Sequence, residues 1–223
     1  TRFIEEKVES ARNFINKIWN ASRFVLMNSE GKDFKKLEDI RLTYADKWIL
    51  SRLNNVVKEV TINLNKYEIG LATGKLYDFV WSDFCDWYIE ATKPMLYGDN
   101  ERAKLNALTV LNFVLDEILK LMHPFIPFVT EEIYQYKQTG KRHALMMQEW
   151  PKYNKKFNYY KEAKAFEGVM DIIKAIRNVR NEMQVAPSKK IKVYVKAGEH
   201  AAVVEKLSTY IEKMAGVGEV VMT

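Results

Sequence analysis

Long runs of helical periodicity, cut by a few short turn-forming stretches, constrain this chain more than any other feature. Nine Gly and five Pro interrupt 223 residues, and between them apolar side chains return every three or four positions, the spacing of an amphipathic helix. A first helix is predicted from about Phe3 to Asn28, ending before the turn-like NSEGKD. The second opens on TYADKW, where Thr43 as N-cap and Asp46 three residues on make a capping box, and it continues to about Lys66. A third covers Ile69 to Thr92 and meets Pro94 near its end. YGDN marks a turn, with Asp99 or Asn100 capping a fourth helix that breaks at His123-Pro124; a short fifth starts near Pro127. Long helices joined by short connections read as an antiparallel bundle.

From Gln138 to Tyr160 the sequence turns irregular, with Lys clusters and Trp150-Pro151, as in a linker wrapping the bundle. A sixth helix is expected over Tyr160 to Gln184, ahead of APSKK. KIKVYVK then alternates Ile191, Val193 and Val195 with Lys, the pattern of a half-buried strand. GEHAAVVEKLSTYIEKM reads as a helix and GEVVMT as a second strand. The expected fold is mainly α: an antiparallel helix bundle over residues 1–157, then a small α+β appendage over 158–223 made of the long helix and a β-α-β unit.

Composition excludes several classes. Hydrophobic residues make up 48% of the chain, so it is globular, yet no uncharged apolar run reaches the about 18 residues of a membrane span. TRFIEEKVES carries charges where a signal peptide has its apolar region, and it lacks an initiator Met, as expected of a piece of a longer chain. The single Cys, Cys85, rules out a disulfide framework and suits a reducing, cytoplasmic setting. Lys and Arg number 35 against 29 Asp and Glu, a formal charge of +6, compatible with a polyanionic partner.

No catalytic constellation emerges. His123, His143 and His200 lie far apart in unlike contexts, and none has metal-ligand spacing. Gly216-Val217-Gly218 falls between a helix and a strand, the reverse of a dinucleotide fingerprint. Cys85 sits among aromatics at helical spacing and reads as a packed core thiol. Tyr77, Trp81, Phe84, Trp87 and Tyr88 read as core, with Asp86 and Glu90 pairing basic side chains. Glu131 and Glu132 suit the positive end of a helix dipole.

The first helix differs. Wound at about 100° per residue, it gathers Ile4, Val8, Ala11, Ile15, Ile18 and Val25 on one arc, the expected buried face. Arg12, Arg23, Asn16, Asn20, Asn13 and Lys17 occupy the opposite arc, and Phe24 falls between Asn13 and Lys17. Carboxylates are absent between Ala11 and Met27, whereas a solvated face normally mixes signs. Cations that neutralise phosphates, Asn and Arg that read base edges, and a ring that stacks on an unpaired base are what RNA recognition uses. The alternative places Phe24 under the loop NSEGKDFKKLE, against Phe34. In the sixth helix Arg177 and Arg180 continue the apolar stripe of Phe166, Met170 and Ile173. They are either paired or snorkelling, or candidate phosphate contacts helped by Lys174, Lys189 and Lys190.

ARNFINKIWNASRFVLMN, ADKWILSRLN, KLYDFVWSDFCDWYIE, HPFIPFVTEEIYQ and AIRNVRNEMQVAPSKK, in this order, closely resemble the anticodon-binding region of valyl-tRNA synthetases, which are class I aminoacyl-tRNA synthetases. Isoleucyl-tRNA synthetases share the architecture; CDWYIE and NASRF favour the valyl branch. The resemblance implies a bundle that grips the anticodon stem-loop of tRNA(Val), following catalytic and editing domains in a parent chain. The HIGH- and KMSKS-type signatures that handle ATP are not in this sequence, nor is the coiled-coil arm of many valyl enzymes. The implied role is tRNA binding without valine activation or editing, with ATP and Mg bound elsewhere and no cofactor on these residues. By position, the resemblance points to Lys17, Arg23 and Phe24 as anticodon-reading residues, with Asn20 and Asn16 behind them; Arg12 of the same polar arc is a further candidate tRNA contact. A helical protein-interaction module with a basic patch is the alternative of another class.

Overall fold

The computed structural model describes residues 5–138, 142–186 and 188–223, in two compact units, Thr1–Asn158 and Tyr159–Thr223. Ile4 of the first helix, the tip of the irregular segment and Pro187 lie outside the described residues.

The first unit is helical. It comprises α1 (Glu5–Ser29), α2 (Tyr44–Asn65), α3 (Ile69–Asp78), a π-helical segment (Phe79–Tyr88), α4 (Ile89–Leu96), α5 (Glu101–Met122) and α6 (Pro127–Lys137). Helix α2 starts on the expected capping box: Asp46 N–H donates to Thr43 Oγ1 at 3.1 Å, and Thr43 N–H donates to Asp46 Oδ2 at 2.8 Å. Burial pushes the Asp46 carboxyl above its ordinary value, against the hydrogen bonds it accepts, and Tyr88 donates its hydroxyl to Oδ1 at 2.6 Å. Asn100 caps α5 by accepting from Ala103 N–H. Leu108, Leu111, Val114, Leu115 and Ile118 of α5 are buried with Trp48, Ile49, Leu50 and Leu53 of α2.

The expected single helix Ile69–Thr92 is corrected in its middle. Over Phe79–Tyr88 the turns widen, and Ile89 N–H donates to Phe84 O, five residues back. Phe79, Val80, Phe84 and Tyr88 of this segment are all buried, within wide turns of a kind that is rare inside α-helices. The aromatic stripe is therefore split. Phe84 and Tyr88 are core, Trp81 and Trp87 are half-buried, and Tyr77 is 41% exposed. Asp83 and Asp86 turn outward to Arg52 Nε at 2.8 Å and Lys17 Nζ at 2.6 Å. Cys85 is half-buried rather than fully packed, its thiol pushed up to about 12 chiefly by burial.

The irregular segment is a strap held by side chains. Buried Asn54 donates to Asn154 O at 2.9 Å and accepts from Asn154 N–H at 2.8 Å, while Ser51 donates to Phe157 O at 2.7 Å. Trp150 Nε1 donates to Thr61 Oγ1 at 2.9 Å. Glu131 and Glu132, expected in a first helical turn, lie beyond the first turn of α6, and Glu131 instead accepts from Leu145 N–H on the strap at 2.9 Å.

The second unit holds α7 (Tyr160–Glu182), β1 (Ile191–Val195), α8 (Ala201–Lys206), α9 (Ser208–Ala215) and β2 (Val217–Met222). The two strands pair in parallel, Val193 opposite Val220 and Tyr194 opposite Val221. Phe166, Ile173, Leu207, Ile211 and Val217 form its core. Helix α7 ends two residues before the expected Gln184, which adopts φ 49° in a Schellman turn: Val185 N–H donates to Arg180 O and Gln184 N–H to Asn181 O.

Candidate nucleic-acid interface

Helix α1 packs on the π segment, α5 and α6, and those neighbours fix which of its faces is wet. The buried positions are Phe14, Ile18, Ala21, Ser22 and Val25. Of the expected buried arc, Ile18 and Val25 are core and Ile15 is half-buried, but Val8 and Ala11 are exposed. The physical reason lies in the partners. The Phe14 ring stacks on Tyr77 at 4.8 Å and Trp81 at 6.4 Å between centroids, so the interface turns toward Phe14 and Ala21, by roughly 60° at 100° per residue. The first turns, Glu5 to Asn13, are exposed throughout.

This rotation decides the geometry of the polar arc. Arg12, Asn13, Asn16, Asn20 and Arg23 are all exposed and lie together, opposite the core. Arg23 pairs with no carboxylate among the described residues, and Arg12 reaches Glu9 at 3.6 Å with both side chains in solvent, a contact of little energetic weight. Phe24 stands roughly 90° from the core centre and is half-buried. Lys17 is on the same margin, its Nζ 2.6 Å from Asp86 Oδ1 and 3.8 Å from the Trp81 ring centroid. The lysine is thus fixed as a brace between α1 and the π segment, with about a quarter of its side chain accessible (24%).

Two exposed residues on this face went unread in the sequence. Met27, 65% exposed, falls at the middle of the polar arc. Trp19 lies at the margin away from Phe24 and meets Tyr136 of α6 edge-on at 6.2 Å. Both are visible on the same helical wheel, once its apolar centre is placed on Phe14 rather than Ile15.

The other candidate contacts, Arg177 and Arg180, lie on α7 of the second unit. Arg177 donates through Nε and Nη2 to Met214 O at 3.0 and 2.7 Å. Buried Arg180 donates to Gly216 O, Ala186 O and Lys189 O at 3.2, 2.8 and 3.0 Å. Both guanidiniums are engaged by carbonyls, including those at the C-terminus of α9, where orphan acceptors need donors.

Among the described residues no group of three or more His, Cys, Asp or Glu is placed to hold a metal ion, and no helix is long and apolar enough to cross a membrane. What α1 offers is a carboxylate-poor strip of guanidinium and amide groups with an aromatic ring at each margin.

The family model described as the anticodon-binding domain of tRNA ligase matches residues 46–195. The chain is 49% identical over 216 residues to a valine–tRNA ligase of Clostridium acetobutylicum, covering 96% of this chain and 24% of that protein. It is 48% identical to a valine–tRNA ligase of Clostridium tetani, covering 98% of this chain and 25% of that protein, and 46% identical to one of Bacillus thuringiensis over the same shares. The chain thus spans about a quarter of the length of these curated relatives.

Proposed function

We propose a function from the premise that this chain belongs to the anticodon-binding domain family of the tRNA ligases: it is the anticodon-binding part of a valine–tRNA ligase and grips tRNA(Val) by its anticodon stem-loop. The names of the relatives support the ligase, and the observation that carries the binding surface is the exposed arc of Arg12, Asn16, Asn20 and Arg23 with Phe24 at its margin.

In this reading the arginines neutralise phosphates, and the asparagine amides and guanidiniums hydrogen-bond unpaired base edges. Half-burial suits Phe24 to its role: it leaves part of the residue open for a base to stack on, worth about 1–3 kcal/mol. Lys17 acts from its bridge to Asp86, holding the π segment beside the ring and lending charge to the margin. Valine activation and editing, with the ATP and Mg that activation needs, belong to the rest of a cytoplasmic ligase chain, as do the contacts this unit makes with those domains.

The test is a fluorescence-anisotropy titration at one stated salt concentration. The ligands are the anticodon stem-loop of tRNA(Val) and the same hairpin with its middle and third anticodon bases changed. Several-fold tighter binding of the native loop is expected, and Phe24→Ala should lose about 5- to 150-fold, the stacking energy above. Equal binding of both hairpins, or a Phe24→Ala variant that keeps its helicity and full affinity, would overturn base reading by α1.

A further inference from the structure

The second unit carries a basic surface of its own. Along β1 and the residue on either side of it, Lys190, Lys192, Tyr194 and Lys196 are exposed and alternate with half-buried Ile191, Val193 and Val195. Strand geometry places alternate residues on one face at about 6.6 Å intervals, so the three lysines and the tyrosine form a straight row. Lys190 and Lys196 pair with no carboxylate among the described residues. Lys192 Nζ lies 3.0 Å from Glu219 Oε2 on β2 and 5.6 Å from the Tyr194 ring centroid. Tyr194 is 65% exposed. Gly218 of β2 leaves room beside this row, since a Cβ there would stand 3.3 Å from Lys190 Cβ.

We propose that this lysine–tyrosine row is a second RNA-binding surface, gripping a sugar-phosphate backbone with a base or ribose laid on Tyr194. It rests on the reading of the chain as a tRNA binder and adds a contact that α1 does not make. Regularly spaced cations interleaved with an exposed aromatic ring are the combination that tracks a nucleic-acid strand without reading its sequence. A protein partner fits less well, because docked protein surfaces have an apolar centre and the exposed side chains here are Lys, Tyr and Glu.

The experiment follows binding of the whole chain to a tRNA(Val) transcript, and to one with altered anticodon bases, across a series of salt concentrations. In Lys190→Gln/Lys192→Gln/Lys196→Gln the slope of log affinity against log salt should fall by about 2 to 3, at about 0.7–0.9 for each phosphate that is no longer neutralised. The ratio of affinities for the two transcripts should stay unchanged. Lys190→Gln/Lys196→Gln, which keeps the Lys192–Glu219 pair, should show about two-thirds of that fall in slope, and Tyr194→Ser should weaken both transcripts alike. If the wild type discriminates between transcripts but the variants keep its slope, the row is not an RNA surface and the α1 reading survives. If the wild type binds both alike and the variants lose slope, the row stands and anticodon reading falls. Absence of binding to either transcript overturns both.

Discussion

Two pairs of arginines in this chain look alike in the sequence and are employed in opposite ways. Arg12 and Arg23 of α1 point to solvent; Arg23 pairs with no carboxylate among the described residues and Arg12 meets the exposed Glu9 only loosely, at 3.6 Å, so their donors remain available to a ligand. Arg177 and Arg180 of α7 have their donors on backbone carbonyls 37, 36, 6 and 9 residues away. The difference teaches that formal charge locates no binding site. What matters is whether the fold has already supplied each cation with an acceptor, and the orphan carbonyls at the end of α9 are acceptors of that kind.

Removing an arginine of the second pair should do the most damage. Arg180→Met leaves the carbonyls of Gly216, Ala186 and Lys189 without this donor in a partly buried place, and hydrogen bonds to a charged group are worth about 1.5–3 kcal/mol. A loss of roughly 2–4 kcal/mol is expected, confined to the second unit. Trp19, Trp48, Trp81, Trp87 and Trp150 all precede residue 159, so the second unit contains no tryptophan of its own to report the loss. Hydrogen exchange of the α9 and β2 amides would report it, and unchanged protection there would show that the guanidinium is dispensable to the fold.

Lys17 is the intermediate case, braced yet on the margin of the exposed arc. Lys17→Met should cost about 1 kcal/mol of stability, the scale of a charge-assisted hydrogen bond that is partly solvated, read from the urea midpoint. The companion variant Asp86→Asn separates the lysine's two roles. It removes the ion pair but keeps the cation over Trp81, so RNA affinity should hold if Lys17 acts by its charge and fall if it acts by bracing the π segment. The neighbouring Cys85 supplies a check by pH. Its folded value of about 12 lies above that of an unfolded thiol, so the stability it contributes is complete below about pH 8.5 and is lost as pH rises toward 12. Native-state alkylation at pH 8.5 should therefore be slow compared with that of the urea-unfolded chain, and equal rates would show an open thiol.

Much of the frame was legible because it is local. The Thr43–Asp46 capping box and the alternation of β1 depend on residues a few positions apart and stand as expected, and of the two expected cap candidates Asp99 and Asn100 it is Asn100 that caps α5. The π segment was not legible, since its wide turns answer to partners on α1 and α2 rather than to its own spacing. Nor was the hold of Asn54 on a strap 100 residues away. The buried face of α1 was misplaced for a related reason. Val8 and Ala11 entered the wheel as core, but core exists only where a neighbour covers it, and the first turns of α1 are exposed. Arg180 on an apolar stripe was visible as an anomaly, whereas the carbonyls that explain it come from another element.

The smallest effect on stability is the sharpest test of the comparison. Arg23→Gln removes a charge that touches no carboxylate among the described residues, on an exposed face of a helix where Gln is an equally good former. Its stability should stay within about 0.5 kcal/mol of wild type. The salt slope of RNA binding should nevertheless fall by about 0.7–0.9 if the guanidinium meets a phosphate. If it reads a base edge, the slope should hold while discrimination between anticodon variants shrinks. An Arg23→Gln chain that binds with the wild-type slope and the wild-type discrimination would show that the ligand does not meet this arginine. The open arc of α1 would then have to act through Arg12, its asparagines and Phe24.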